Sequence, residues 1–540
     1  MGTDKAWFSH LYRGDHVMVT RRSMSSDHLV VSSDAGTGLV RIREADLMQL
    51  EKHLFQRYPH REWGTFFRFG YRRTSWGIVI CFVDGLWPGR GDLDRQTALT
   101  TFHESYSRRA FRESENVNGL AIGVVHSHPV GCAVRPSALD DDMDGYFSEE
   151  LSSFSGGRPY CSLIFERSER GLSFSGRIYD RGQWLPVASM ISVGETVNRW
   201  RSQLMPVELA VTETAEASTT ARLQSLMGAT SEVRFRNSTV GVVGNSGTGS
   251  PIVAVLTRAG IGSFVVVDPQ RFSPSNLERM HGSERKHLLL DKPPFKAELM
   301  RDMIHSINPS ANVVPLVGNA LHQNVIDELL KCDFILGCTD SVHGRVALDE
   351  FSRHFLVPVI DVGVRMDGAD GILTAQLVNV AAYRPGLPCA FCRDNVDTYV
   401  MNYELMSESE RREKEEQAAD AATRGVEVDQ YWKGRPRQLH TVGYLTTGAG
   451  ALVAGYVEGA LSGSFAIPHS EFQFDISKPG FGFVVPPLVK DASCGCQSHL
   501  GWADAANPFK NVVIPGHWSR RAVLLPSHVD LPSVGSRESA

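Results

Sequence analysis

The chain reads as an α/β protein: an N-terminal mixed α/β unit followed by a Rossmann-like, mostly parallel α/β unit. Three observations lead there. Residues 239–268, TVGVVGNSGTGSPIVAVLTRAGIGSFVVVD, run strand, glycine turn, helix, strand. Apolar β-branched runs then alternate with helical patterns as far as Val364, which is the signature of a parallel sheet. Ahead of all this, residues 1–180 carry strands and helices of their own. A chain of 540 residues also exceeds one ordinary core. The expected division is 1–185, a linker or arm at 186–220, a second unit at 221–500, and a C-terminal extension at 501–540.

Composition narrows the partners. With 42% hydrophobic and 21% charged residues and a net charge of −6, the chain has no basic footprint for nucleic acid. Residues 442–463, VGYLTTGAGALVAGYVEGALSG, are long enough to cross a bilayer, but Glu458 and the many small residues predict a buried helix and no membrane. The start, MGTDKAWFSHLYRGD, has no apolar core beside a cleavage site. Nine cysteines, with Cys81 and Cys161 inside apolar strands, point to a reducing cytoplasm.

In the first unit the patterns predict strands at 28–32, 61–70, 76–83, 120–126, 160–166 and 172–179, and helices at 45–57 and 98–115. The strand at 120–126 runs into HSHPVGCAVRPSALDDDMDGYF. His126 and His128, two apart at a strand end, share one face, and Ser137 and Asp140 follow a proline-containing loop. Two imidazoles and a carboxylate leave one position of a tetrahedral zinc open, as hydrolysis requires. The plainer alternative is two histidines at a surface turn.

The run His126-x-His128-Pro129, then Ser137-x-x-Asp140, resembles the signature of the JAMM metalloproteases, which hydrolyse amide bonds at the carboxyl terminus of ubiquitin-like proteins. The resemblance implies His126, His128 and Asp140 as zinc ligands, Ser137 as donor to a developing oxyanion, and an upstream glutamate as general base towards the attacking water. Glu62 is assigned as that base because it opens an apolar strand ahead of the histidines. Glu44 and Glu51, on or beside the helix, read as solvated. Eight residues separate His128 from Ser137, one more than the family pattern.

In the second unit Gly244, Gly247 and Gly249 punctuate the turn, Ser250 and Pro251 read as N-cap and first helical residue, and Gly260 closes the helix. Asp268, at the end of the second strand, suits a ribose, with phosphates at the helix N-terminus. Taken alone, this stretch predicts a dinucleotide-binding unit. Ser275-Asn276-Leu277-Glu278-Arg279, Lys296-Ala297 and Cys338-Thr339-Asp340 then follow in order. Together these motifs resemble the ThiF/MoeB/HesA and ubiquitin-activating-enzyme superfamily over residues 221–498.

That resemblance implies adenylation of the terminal glycine carboxylate of a ubiquitin-like or sulfur-carrier protein. It assigns Arg279 and Lys296 to the phosphates, Asn276 to positioning them, Asp340 to magnesium, Asp268 to the ribose, and Arg222 to a partner's nucleotide across a homodimer interface. Ser246 stands where the family has a second glycine, and Gln270 where a second aspartate often follows Asp268. Cys389-x-x-Cys392 and Cys494-x-Cys496 supply four thiols for a structural zinc, against the plainer reading of free core thiols.

Residues 393–438 are charge-rich, and no cysteine lies between Cys392 and Cys494 for a thioester. The adenylate then passes to another protein's nucleophile, such as a conjugating-enzyme-like acceptor, or to a hydroxyl such as Ser407, Ser409 or Thr441, or to a cysteine elsewhere. The whole reads as a bifunctional enzyme of the type found in bacterial ubiquitin-like pathways, a JAMM-like peptidase fused to a ThiF-like adenylyltransferase using ATP, Mg²⁺ and Zn²⁺. The alternatives are sulfur-carrier activation for thiocarboxylate-dependent biosynthesis, and a non-catalytic module that binds a ubiquitin-like protein.

Overall fold

The computed structural model describes residues 36–57, 60–96, 100–115, 117, 119–154, 157–169, 171–206, 220–424, 432–436, 441–465, 469–509 and 521–528. The strand expected at 28–32, and residues 207–219 of the expected linker, lie outside these residues.

The first unit runs β1 (Thr37–Arg43), α1 (Glu44–Leu54), β2 (Gly64–Thr74), β3 (Gly77–Leu86), β4 (Leu93–Gln96), β5 (Thr100–Phe102), α2 (Glu104–Glu115), β6 (Ala121–Ser127), α3 (Ala138–Phe154), β7 (Tyr160–Ser168), β8 (Gly171–Asp180), β9 (Gln183–Val193) and β10 (Val197–Arg201). Its large sheet has the order β1-β3-β2-β6-β7-β8-β9-β10, and β1 also pairs with β9, so the sheet closes on itself. Phe67, Phe69, Ile80 and Phe174 fill its inside. Two expectations are corrected. Residues 100–102 are strand rather than helix, because the threonines favour extended backbone and the helix starts only where His103 Nδ1 accepts the Ser105 N–H. Residues 187–201, placed in the linker, belong to β9 and β10; the apolar run VASMISV pairs with β1 and extends this sheet past position 185.

The second unit runs α4 (Ala221–Met227), α5 (Ala229–Arg236), β11 (Thr239–Val243), α6 (Gly249–Arg258), β12 (Ser263–Val267), α7 (Lys296–Ile307), β13 (Asn312–Val317), α8 (Gln323–Leu329), β14 (Phe334–Gly337), α9 (Val342–Phe355), β15 (Val359–Ala369), β16 (Ile372–Tyr383), α10 (Thr398–Leu405), α11 (Glu408–Arg424), α12 (Gly443–Ser462), β17 (Glu471–Asp475) and β18 (Val523–Leu524). The sheet order is β17-β16-β15-β14-β11-β12-β13-β18. Strands β13, β12, β11, β14 and β15 are parallel, as the alternating pattern predicts, and β16, β17 and β18 add antiparallel edges. The order reverses between β11 and β14, where a doubly wound sheet opens a ligand crevice at its carboxyl ends.

Helix α12 is the glycine-rich segment expected to be buried. Ala449, Val453 and Val457 are sealed in the core, and no described helix is long and apolar enough to cross a membrane.

The two units share a core. Leu39, Val79, Cys81, Ile191, Val193 and Val197 of the first sheet pack into the apolar cluster of the second unit. At its centre the fully buried Arg41 donates to Leu330 O (2.9 Å), Cys332 O (2.5 Å) and Leu356 O (3.3 Å), carbonyls at the ends of α8 and α9. Burial pushes its guanidinium down to about 10. Arg72 reaches Asp327 and Asp504, and Arg199 reaches Asp333, around the rim.

Candidate functional site

At the end of β6, His126 and His128 face one pocket with Asp140 of α3. His126 Nε2 lies 3.2 Å from His128 Nε2 and 3.1 Å from Asp140 Oδ1, and His128 Nε2 lies 3.5 Å from Asp140 Oδ2. These separations are of the size a zinc site sets, since bonds of about 2.0–2.1 Å to zinc put tetrahedral ligand atoms roughly 3.3 Å apart, and one ligand atom from each of the three residues lies within 4.8 Å of the others. His128 Nδ1 sits 2.8 Å from Ala133 O, which fixes a proton on Nδ1; in the neutral ring Nε2 is then the lone-pair nitrogen, and in the protonated ring it donates to Asp140. Burial alone would raise the Asp140 carboxyl, but hydrogen bonds from the two histidines hold it far below the usual carboxylate range. Burial lowers His128, yet its bonds to Asp140 and Ala133 O raise it overall. The donor set fits a zinc ion.

Glu62 joins the same pocket by strand register. β2 pairs antiparallel with β6 through Gly64 and His126, and Trp63 and Ser127 exchange bonds, so Glu62 stands opposite His128. It is buried, and its charge bears on His128. Ser137 is placed differently from a free oxyanion donor. Its N–H and Oγ both donate to Asp140 Oδ2 at 2.7 Å, and its Oγ accepts from the Asp140 N–H at 3.3 Å. That is a capping box at the start of α3, legible in the spacing Ser-x-x-Asp, and it holds the carboxylate on its histidine side.

The glycine loop sits at the switch point of the second sheet. Gly244 has φ +96°, and a Cβ there would lie 2.5 Å from Cys338 O on the neighbouring β14 loop; a Cβ on Gly249 would lie 2.0 Å from Gly244 O. A Cβ on Gly247 would meet the Arg279 stem at 3.0 Å, so the arginine lies across the loop. Helix α6 begins at Gly249, two residues earlier than predicted. Ser250 is therefore inside it, donating to Ser246 O and accepting the His281 N–H, and is not its N-cap.

Asp268 Oδ2 accepts the Asn245 N–H (2.8 Å) and Oδ1 the Gln270 N–H (2.9 Å). Burial raises its pKa, with Lys296 pulling partly against it. The two departures from the family loop are engaged with the predicted site. Ser246 Oγ accepts from Asn276 Nδ2 (3.3 Å), and Gln270 Oε1 accepts from Lys296 Nζ (2.7 Å). Asn276 and Lys296 are both buried, and Asp340 is exposed just past β14.

Arg279 Nη1 donates to Thr441 Oγ1 (2.7 Å) and Thr441 O, beside a cavity of about 590 Å³ lined by Arg279, His281, Tyr444 and Thr447. Of the three hydroxyls singled out, Thr441 alone touches a predicted nucleotide-site residue among the described residues. Ser407 and Ser409 are tied up where Ser407 and Glu410 cap α11. Arg222 is exposed on α4, and no bond among the described residues joins its side chain to the loop.

Sequence reading missed two groups here. Asn245 is fully buried, with neither side-chain Oδ1 nor Nδ2 partnered, and nothing in its neighbours' pattern marks it. Glu404 of α10 accepts from Ser341 Oγ, Val342 N and His343 N, occupying the start of α9 directly after Asp340.

The four thiols converge. Cys389 Sγ lies 3.7 Å from Cys494 Sγ and Cys392 Sγ 3.9 Å from Cys496 Sγ, with all four sulfurs within 4.8 Å of one another. Zinc–sulfur bonds of about 2.3 Å set tetrahedral thiolates roughly 3.8 Å apart, so the four-cysteine group fits a closed structural zinc.

A doubly wound sheet with a glycine loop, a strand-end aspartate and an appended four-cysteine group defines a Rossmann-type nucleotide-binding protein. The model of the ThiF family matches residues 219–496, more than half of the chain, and the chain belongs to that family. Its relatives include the adenylyltransferase and sulfurtransferase UBA4 of Saccharomyces cerevisiae, 29% identical over 167 residues, covering 31% of this chain and 35% of that protein. They also include the molybdopterin-synthase adenylyltransferase of Haemophilus influenzae, 30% identical over 146 residues, covering 26% of this chain and 57% of that one. The chain thus spans about a third of the length of the yeast relatives it matches. E. coli MccB crystallised with ATP is 15% identical, covering 52% of this chain and 74% of that one, at a TM-score of 0.38. The family match begins after the N-terminal unit.

Proposed function

We propose that the chain is an ATP-dependent adenylyltransferase acting on the terminal carboxylate of a small glycine-tailed carrier protein. The observation that carries this reading is the grouping of Asp268, Asn276 and Lys296 with the glycine loop, across which Arg279 lies, at the switch point of the sheet. Asp268 accepts from the ribose hydroxyls. Arg279, Lys296 and the loop N–H groups offset the phosphate charge as the carrier carboxylate attacks the α-phosphorus, a carboxylate–phosphorus bond forms, and the bond to pyrophosphate breaks. Magnesium held by Asp340 adds charge neutralisation. The buried, unpartnered Asn245 amide and Arg279 Nε add polar groups at this loop that have no protein partner.

Similarity to a yeast adenylyltransferase and sulfurtransferase and to a Haemophilus molybdopterin-synthase adenylyltransferase favours sulfur-carrier chemistry over conjugation to a target protein. A second chain lends Arg222 across a homodimer. The test is carrier-dependent ATP–pyrophosphate exchange, followed by mass spectrometry of the carrier. A sulfide-dependent thiocarboxylate identifies the sulfur route, and an isopeptide adduct identifies conjugation. Absence of exchange with glycine-tailed carriers overturns both and leaves a binding module.

A second reading covers the first unit, which ends at Arg201 in this division. The His126–His128–Asp140 face and the position of Glu62 support a JAMM-like hydrolytic site for the same glycine tail. Zinc held there supplies Lewis acidity at the scissile carbonyl. Glu62 takes the proton of the attacking water, and Ser137, turned from Asp140, donates to the oxyanion. Zinc-dependent cleavage of a tail-extended carrier that is lost in Glu62→Gln, with exchange intact, is the expected result; cleavage unchanged in that variant removes Glu62 from the role.

A further inference from the structure

We propose that Arg177 is a positioning residue for the Asp140 carboxylate, an inference that rests on the reading of His126, His128 and Asp140 as a zinc site. Arg177 lies on β8 with its side chain almost wholly buried, and spends its fork on one turn of α3. Nη2 donates to Asp140 O (3.1 Å), Nη1 to Asp141 Oδ1 (2.5 Å) and Nε to Asp144 Oδ2 (2.7 Å). The other oxygen of Asp144 accepts from Tyr160 OH on β7 (2.7 Å), and the Trp184 ring of β9 lies 5.0 Å from the guanidinium. Arg177 of β8 and Tyr160 of β7 thereby tie the first two turns of α3 to the sheet.

Asp140 needs that tie for a geometric reason. Its oxygens are committed to His126, His128 and the Ser137 capping box, so its direction follows the backbone of α3's first turn. The histidines ride on β6, a different element, and the histidine–carboxylate separation is therefore only as fixed as α3 is against the sheet. Arg177 bonds the carbonyl of the ligand residue itself and the carboxylates at the next position and one turn on. A lysine offers a point charge but no planar fork, and cannot hold all three acceptors at once.

The test uses the full chain as wild type, His126→Ala, Arg177→Met, Arg177→Lys and Asp141→Asn. Zinc affinity is read by chelator competition, the cobalt-loaded visible spectrum is recorded, and the melting point is measured without metal. The four-cysteine group also takes metal, so the site's own equivalent is the difference between wild type and His126→Ala. Arg177→Met is expected to weaken that equivalent about 10–100-fold and shift its cobalt bands. Arg177→Lys recovers part of the loss, and Asp141→Asn, which removes one partly exposed arm, weakens binding a few-fold. Wild-type zinc affinity and cobalt bands in Arg177→Met, whatever its melting point, overturn the positioning role. Should that variant not fold, the same result in Asp141→Asn overturns it. Metal binding identical in wild type and His126→Ala instead overturns the zinc-site reading, and the inference with it.

Discussion

Gly249 sets the tightest steric condition at the nucleotide loop. A methyl there would fall 2.0 Å from Gly244 O, a backbone atom that cannot move without shifting the end of β11. Gly249→Ala is expected to cost about 2 kcal/mol or more in folding stability and to abolish ATP binding, read by denaturant melts and by calorimetry. Wild-type stability with wild-type ATP affinity would show that the loop relaxes freely. Ser246 is the opposite case. It departs from glycine, but its hydroxyl has a partner in Asn276, so the loop gains an orienting bond at that position.

Among the elements, α12 offers a pH test. Burial alone pushes the Glu458 carboxyl above its ordinary 4.5. A group whose folded pKa is raised favours folding fully below its unfolded pKa and loses that contribution as pH rises through the folded value. Ionised Glu458 therefore weighs on the fold at neutral pH. Glu458→Gln should melt at the wild-type temperature near pH 4.5 and progressively above it towards pH 7.5, by a gain of roughly 1 kcal/mol or less. A gain that is constant across this range would assign the effect to packing.

Elements whose signal is local were legible in the chain: the β-branched run into Gly244, the alternation behind the parallel sheet, the histidines at the end of β6, and the buried α12. What was not legible depends on partners far along the chain. The closure of β1 onto β9, the Glu404 cap on α9 and the three carbonyls around Arg41 leave no periodic trace. Ser137 is a third kind of case, since its spacing to Asp140 fits both a family motif and a helix cap, and the structure places it in the cap.

At the scale of the molecule, the two units are joined through the buried Arg41 and the apolar cluster to which both contribute. Arg41→Ala strands three buried carbonyls and opens a cavity, and is expected to cost about 3 kcal/mol or more. Calorimetry should also resolve two unfolding transitions in place of one. Arg41→Met, which fills the space without donors, should fall between. A single transition at wild-type temperature in Arg41→Ala would mean that the units are held by other contacts.

The central claim, adenylation at the glycine loop, is tested most directly by ATP–pyrophosphate exchange in the presence of a purified glycine-tailed carrier. The expected result is exchange that requires the carrier and magnesium, falls at least about a hundredfold in Arg279→Ala, as for loss of a group that stabilises transition-state charge, and persists in His126→Ala. Exchange that survives Arg279→Ala at the wild-type rate, or that disappears with His126→Ala, would contradict it.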